Sequence, residues 1–260
     1  MRSNLTTILL KHIKEMYSIL EQYGISDKSK FVSVSEKDLV FQKAILMCVE
    51  YIGELSKKLD ESVRKNNSDL NWRRLSTSRN IIFHDYDIVD MDIISSVIFK
   101  DINALKLIKE IDQCDLKQAL ELVNTVFSEF VAVDYSERGK RTFEDYLKNK
   151  YDELSNDMDL KKKKIWACWQ NGEIVGVLAV RDTSHIALMF VDKQHHRKGI
   201  AKYMFNHMLD DMAQNSEIIK ITVNSSPYAV KVYERLGFTK TDEQQEKDGI
   251  IFTPMMRPVV

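Results

Sequence analysis

His195-His196-Arg197-Lys198-Gly199-Ile200-Ala201-Lys202 is the stretch on which the reading of this chain turns. Before it lies the continuous apolar run His185–Val191, too apolar for a one-sided strand and suited to a sheet covered on both faces. After it, Tyr203, Phe205 and Leu209 mark an amphipathic helix, expected over 197–214. Backbone N–H groups at such a helix start, with Gly199 and Ala201 keeping side chains away, form a cradle for a pyrophosphate. Arg197, Lys198 and Lys202 add positive charge beside it.

Working outward, Ile165–Gln170 and Glu173–Val180 flank Asn171-Gly172, a strong hairpin signal. A further strand is expected over Ile218–Val223 and a helix over Pro227–Leu236, and Leu116–Phe130 reads as a helix. Strands alternating with helices make this half α/β, with a central mixed sheet. Lys161–Lys164 reads as a solvated loop before a strand.

The front of the chain has another texture. All three prolines lie at or after Pro227, and only Gly24 and Gly53 interrupt the first 138 residues. Leu5, Ile8, Leu9, Ile13, Met16, Ile19 and Leu20 form one helical stripe, which Gly24 can end. Ser35 with Asp38 predicts a capped second helix carrying Phe41, Ala44, Cys48, Tyr51, Leu55 and Leu59. A third fits 71 to about 83, and Asp87 or Asp90 can cap a fourth carrying Ile94, Val97, Ile98, Ile102 and Leu105. The expectation is a four-helix bundle over 1–110 followed by an α/β domain over 111–260, an α + α/β architecture. Residues 105–111 fit helix or strand equally.

Composition narrows the function. Apolar residues are 44% and charged residues 30%, the balance of a soluble globular protein. Of 38 Lys and Arg and 39 Asp and Glu, 17 and 17 precede Cys114, leaving 21 and 22 after it, so neither half is the net basic domain that phosphate neutralisation favours. The cysteines, Cys48, Cys114 and Cys168, are odd in number and lack metal-ligand spacing, so a cytoplasmic protein without a bound metal is expected. No segment approaches the roughly 20 apolar residues of a membrane span.

His196-Arg197-Lys198-Gly199-Ile200-Ala201 resembles the signature of the GNAT superfamily, in which Gln or Arg is followed after two residues by Gly, one residue, and Gly or Ala; His196 departs from it at the first position. Asn224-Ser225-Ser226-Pro227 followed by Tyr233-Glu234-Arg235-Leu236-Gly237-Phe238 strengthens the likeness, which spans about 111–260. It implies acetyl-CoA as cofactor, held by His196, Arg197, Lys198, Gly199, Ile200, Ala201, Lys202 and Asn224, with the backbone at Phe190 and Val191 supplying oxyanion and pantetheine contacts. It implies Tyr233 as proton donor to the leaving thiolate, with Asn224 beside the cofactor. The loop Glu129–Phe143, with Phe130, Tyr135, Glu137 and Phe143, then borders the acceptor site. The acceptor is a small-molecule or peptide amine; its base stays open among His185, Glu173 and water.

In the helical half, Arg79, His84 and Tyr86 stand at relative positions zero, five and seven. This resembles the HepT-like proteins of the HEPN superfamily, with Tyr51-Ile52-Gly53-Glu54-Leu55 and Trp72 also fitting over about 5–110. The resemblance implies a homodimer and a metal-independent ribonuclease site, in which His84 moves a proton and Arg79 holds phosphate. It also implies RNA as a partner, and a nucleotidyltransferase antitoxin that caps Tyr86. Two other readings stand beside acetyl transfer to a small amine: a toxin–antitoxin element in which the acyltransferase half regulates the ribonuclease, and acetylation of aminoacyl-tRNA.

Overall fold

The computed structural model describes residues 2–84, 89–156, 164–213 and 218–259. The chain divides into two compact units, residues 1–109 with 169–173, and residues 110–168 with 174–260.

The first unit is helical, with α1 (Arg2–Gln22), α2 (Lys28–Ser35), α3 (Leu39–Ser56), α4 (Glu61–Asn66), α5 (Trp72–His84) and α6 (Met91–Ser96), the last continuing as a π-helical stretch Val97–Ile102. The expected four-helix core is α1, α3, α5 and α6 with its π-helical continuation; α2 and α4 are additional. Leu9, Met16, Ile45, Ile52, Leu75, Ile82, Ile94 and Ile98 are fully buried between them. The stops are local. Gly24 at φ +60° closes α1, with the Ile25 N–H donating to the Leu20 carbonyl at 2.8 Å. Asp38 caps α3 by accepting from the Phe41 N–H at 2.9 Å, whereas Ser35 is buried inside the chain's second helix and donates to the Phe31 carbonyl. The reciprocal cap expected of Ser35 and Asp38 is thus replaced by Asp38 alone. Asp90 caps α6, and Asp87 lies outside the described residues. In the π-helical stretch Asp101 is buried and takes a two-pronged pair from Arg74 of α5, at 2.5 Å and 2.9 Å.

Residues 106–110, ambiguous in sequence, form a strand, β1 (Lys106–Glu110). The second unit then holds α7 (Gln113–Phe130), α8 (Glu137–Asn156), β2 (Lys164–Gln170), β3 (Glu173–Arg181), β4 (His185–Val191), α9 (Ile200–Met212), β5 (Lys220–Ser225), α10 (Val230–Arg235), β6 (Thr239–Lys240), β7 (Gln245–Lys247) and β8 (Ile250–Pro258). The loop expected over Glu129–Phe143 is mostly regular: α7 runs to Phe130, a single 3₁₀ turn covers Ala132–Asp134, and α8 begins at Glu137. Of the lysine run, only Lys164 is described, and it opens β2 with an ion pair to Asp211 at 2.5 Å.

The sheet order in this unit is β2-β3-β4-β5-β8-β6, with β7 pairing β8. Antiparallel pairs β3–β4, β5–β8 and β6–β8 surround one parallel pair, β4–β5, so the sheet is mixed. Asn171 and Gly172 both take positive φ, as their hairpin turn requires. Among the described residues, no helix is long and apolar enough to cross a membrane.

Candidate active site

The site is opened by a failure of pairing. β4 and β5 are in register only at His185–Thr222 and Ile186–Val223, although β4 continues to Val191 and β5 to Ser225. On the other side of β4 the register shifts by one residue: Ala179 faces Leu188 but Val180 faces Ile186, leaving Ala187 as the extra residue of a bulge. A bulge bends its strand and increases the local twist, which is the physical reason β4 leaves β5 at this point.

Alternation along β4 decides which backbone groups face the gap. The Asp192 N–H donates to the Val175 carbonyl at 2.9 Å, and Val177 faces Phe190 in the same ladder. In an antiparallel ladder every second residue turns to the same neighbour, so Phe190 spends its backbone on β3 while Met189 and Val191 face the opening. The oxyanion donor expected from Phe190–Val191 is therefore narrowed: Val191 faces the gap, and Phe190 contributes its ring. The Val191 carbonyl already accepts from His196 Nε2 at 2.8 Å, so His196 carries its proton on Nε2 and braces the strand end.

Beyond β4, Asp192 caps a short turn by accepting from the Gln194 N–H at 2.8 Å and meets His195 Nδ1 at 2.9 Å. Arg197 and Gly199 then take positive φ, 62° and 78°. The first helical bond of α9 runs from the Tyr203 N–H to the Gly199 carbonyl at 2.9 Å. The preceding N–H groups, Arg197 through Lys202, have no backbone carbonyl partner among the described residues. They sit where a helix N-terminus is electropositive. A Cβ built on Gly199 would meet nothing within 4 Å, so that position faces open space.

The opening is a cleft of ≈ 780 Å³, lined among others by Phe190, Val191, His196, Arg197, Gly199, Ile200, Ala201, Lys202, Asn224 and Tyr233. These are the sequence-predicted acetyl-transfer residues with one exception: Lys198 is exposed and is not among the lining residues. Tyr233 is 4% exposed, packs edge-on to Phe238 at 5.3 Å, and burial alone pushes its phenol well above the ordinary value. It stays protonated at neutral pH and so is a donor. His185 lines the cleft and meets Thr222 Oγ1 at 2.8 Å. Burial, and then the Arg181 charge, hold its imidazole below the usual histidine range, with Asp182 opposing. Glu173 is not a lining residue, so of the two only His185 lines the cleft.

Sequence reasoning missed Tyr146, Arg181, Tyr228, Val232, Arg235 and Ile250, all of which line the cleft. Arg181 was findable, since it faces His185 across the β3–β4 turn; the others come from α8 (Tyr146), the turn after β5 and α10 (Tyr228, Val232, Arg235) and β8 (Ile250), and their meeting depends on tertiary packing. Phe130 touches the rings of His196 and Tyr228 at 5.0 Å and 5.2 Å, and Phe143 stacks on Phe127 at 3.8 Å and meets Phe190 at 6.1 Å.

In the helical unit Arg79 and His84 both lie on α5. Tyr86 lies outside the described residues.

Comparison with known proteins agrees with both halves. Residues 131–258 match the acetyltransferase (GNAT) domain, and residues 10–111 match the ribonuclease HepT-like family. The "Putative RNase" of Caldanaerobacter subterraneus subsp. tengcongensis is 36% identical over 30% of this chain and 70% of its own length. The "Gamma-glutamylcyclotransferase and putative RNase" of Methanocaldococcus jannaschii is 31% identical over 41% of this chain, which spans only 49% of that relative. Among solved structures, PaiA N-acetyltransferase from Thermoplasma acidophilum in complex with coenzyme A is 14% identical, with a TM-score of 0.49 over 59% of this chain and 98% of that one. A GCN5-related N-acetyltransferase from Rhodopseudomonas palustris is 17% identical, with a TM-score of 0.48 over 58% and 94%. The chain carries a GNAT acetyltransferase domain over residues 131–258 and a HepT-like domain over residues 10–111.

Proposed function

We propose that the second unit transfers the acetyl group of acetyl-CoA to an amine. The observation that carries this is the run of N–H groups from Arg197 to Lys202, without a backbone carbonyl partner among the described residues, at the mouth of the β4–β5 opening. Six donors, with the Arg197 and Lys202 charges beside them, suit a pyrophosphate, and the missing Cβ of Gly199 leaves it room. Bound acetyl-CoA supplies a thioester carbonyl that an amine can attack. The new bond is N–C and the broken bond is C–S. Val191 and Met189 offer backbone N–H groups to the charge that develops on the carbonyl oxygen. Tyr233 gives its proton to the departing sulfur. His185, held neutral, takes the proton that the amine must shed, directly or through water. Calorimetric titration with acetyl-CoA tests binding, and thiol release in the presence of amines tests transfer.

A second reading concerns the first unit, favoured by the HepT-like match and by Arg79 and His84 sharing α5. It is a homodimeric, metal-independent ribonuclease in which Arg79 holds phosphate and His84 moves the proton. A nucleotidyltransferase acting on Tyr86 would switch it off by adding negative charge to the motif that Arg79 serves. A toxin–antitoxin role follows if that cleavage is harmful to the cell. The three cysteines, none in a disulfide, support the cytoplasm as the compartment.

A further inference from the structure

The cleft that would hold acetyl-CoA is also the place where the acceptor amine must sit, and its lining carries an unusual balance of charge. No Asp or Glu is among its described lining residues, whereas Arg181, Arg197, Lys202 and Arg235 are. Five carboxylates near the cleft in sequence are paired within the chain: Glu129 with Lys193, Asp192 with His195, Glu137 with Lys140, Asp248 with Arg138, and Asp182 with Arg181. An acceptor bearing two or more ammonium groups would find no carboxylate among the described lining residues for the groups that do not react, and would lose hydration on entry.

What the lining offers instead is aromatic surface. Phe130, Tyr135, Phe143 and Phe190 are only partly buried against the core formed by Phe127, Val131 and Ala132. Tyr228, at 47% exposed, extends this surface from Phe130. Half-covered rings of this kind gain most by covering an apolar body.

We infer that the acceptor is a small amine with an apolar, aromatic-sized body whose reacting nitrogen is its only positive charge. This rests on the acetyl-transfer reading above. Arg181 and Arg235, the two lining cations outside the pyrophosphate cradle, serve the chemistry as well, because positive neighbours disfavour the ammonium form and release the neutral amine that attacks. His185, rather than a carboxylate, then suffices to accept the proton.

The test uses the full chain at saturating acetyl-CoA, following thiol release with 2-phenylethylamine, spermidine and kanamycin. The expected kcat/KM for 2-phenylethylamine exceeds that for either polycation by about 100-fold. Equal or better use of spermidine or kanamycin overturns the inference, as does calorimetric binding of acetyl-CoA with no transfer to 2-phenylethylamine. Failure to bind acetyl-CoA at all is a different result, and it removes the acetyl-transfer reading together with the inference. A charge placed on the aromatic surface gives an independent check. Tyr228→Glu, at a half-exposed position, is expected to narrow the preference by about fivefold through the acceptor KM. The dissociation constant of acetyl-CoA should stay at the wild-type value. Phe143→Ala should raise KM for 2-phenylethylamine and leave that for spermidine unchanged; equal changes for both amines would overturn the aromatic contact.

Discussion

Gly199 is the position at which a single added methyl group separates folding from binding. Its φ of 78° and ψ of 3° are left-handed, so any L side chain there costs about 1–2 kcal/mol of backbone strain. The space around it is open, with nothing within 4 Å of a built Cβ, so there is no further cost from clashes within the protein. Gly199→Ala and Gly199→Val should therefore lose similar stability, about 1–2 kcal/mol by urea unfolding. Binding is another matter. A side chain projecting from the middle of the donor run displaces a phosphate oxygen from one charge-assisted hydrogen bond, worth about 1.5–3 kcal/mol. That corresponds to about a 10- to 100-fold weaker acetyl-CoA affinity, with the valine at the upper end because its branches extend further into the phosphate site. The assay is calorimetry on both variants, beside their unfolding curves. A valine variant that loses stability but keeps wild-type affinity refutes the cradle.

Tyr233→Phe should lower turnover by about 10²–10⁴ while leaving acetyl-CoA affinity intact, as stopped-flow thiol release and calorimetry can separate; wild-type turnover would return Tyr233 to a packing role against Phe238. The acidic limb of kcat/KM should fall below the ordinary histidine value of 6.5, because burial and Arg181 lower His185, and should vanish in His185→Gln. Tyr233, raised from 10.0, should add no alkaline limb below about pH 10. Arg74→Ala leaves Asp101 buried without its cation and should destabilise the helical unit by about 3 kcal/mol, read from urea unfolding; a loss below about 1 kcal/mol would mean water replaces the guanidinium. His84→Ala should abolish cleavage of single-stranded RNA that leaves 2′,3′-cyclic phosphate ends, and leave acetyl transfer unchanged; residual cleavage would assign the proton transfer elsewhere.

The elements that could be read from the chain were those with a short-range physical signature. Asn171-Gly172 announced its hairpin because few residues accept positive φ, and Gly24 and Asp90 marked helix ends, whereas the cap of α3 fell on Asp38 rather than on Ser35. The donor run at Gly199 was legible because a glycine between strand and helix has a specific use. By contrast, Asp182 and Thr183 also take positive φ, but neither advertises it. α8 was hidden by Gly139, which looks like a breaker yet sits in its first turn because a Cβ there would lie 2.0 Å from the Gly249 carbonyl oxygen. The cleft itself depends on the bulge at Ala187 and on where β4 and β5 stop pairing. Those are properties of register between distant segments, and no local pattern in either strand carries them.

Amide hydrogen exchange on the full chain with and without saturating coenzyme A addresses the central claim directly. If the N–H groups of Arg197 to Lys202 hold the pyrophosphate, that segment must slow strongly on binding, and it must do so in Tyr233→Phe as well. Binding that leaves the exchange of this segment unchanged would contradict the account.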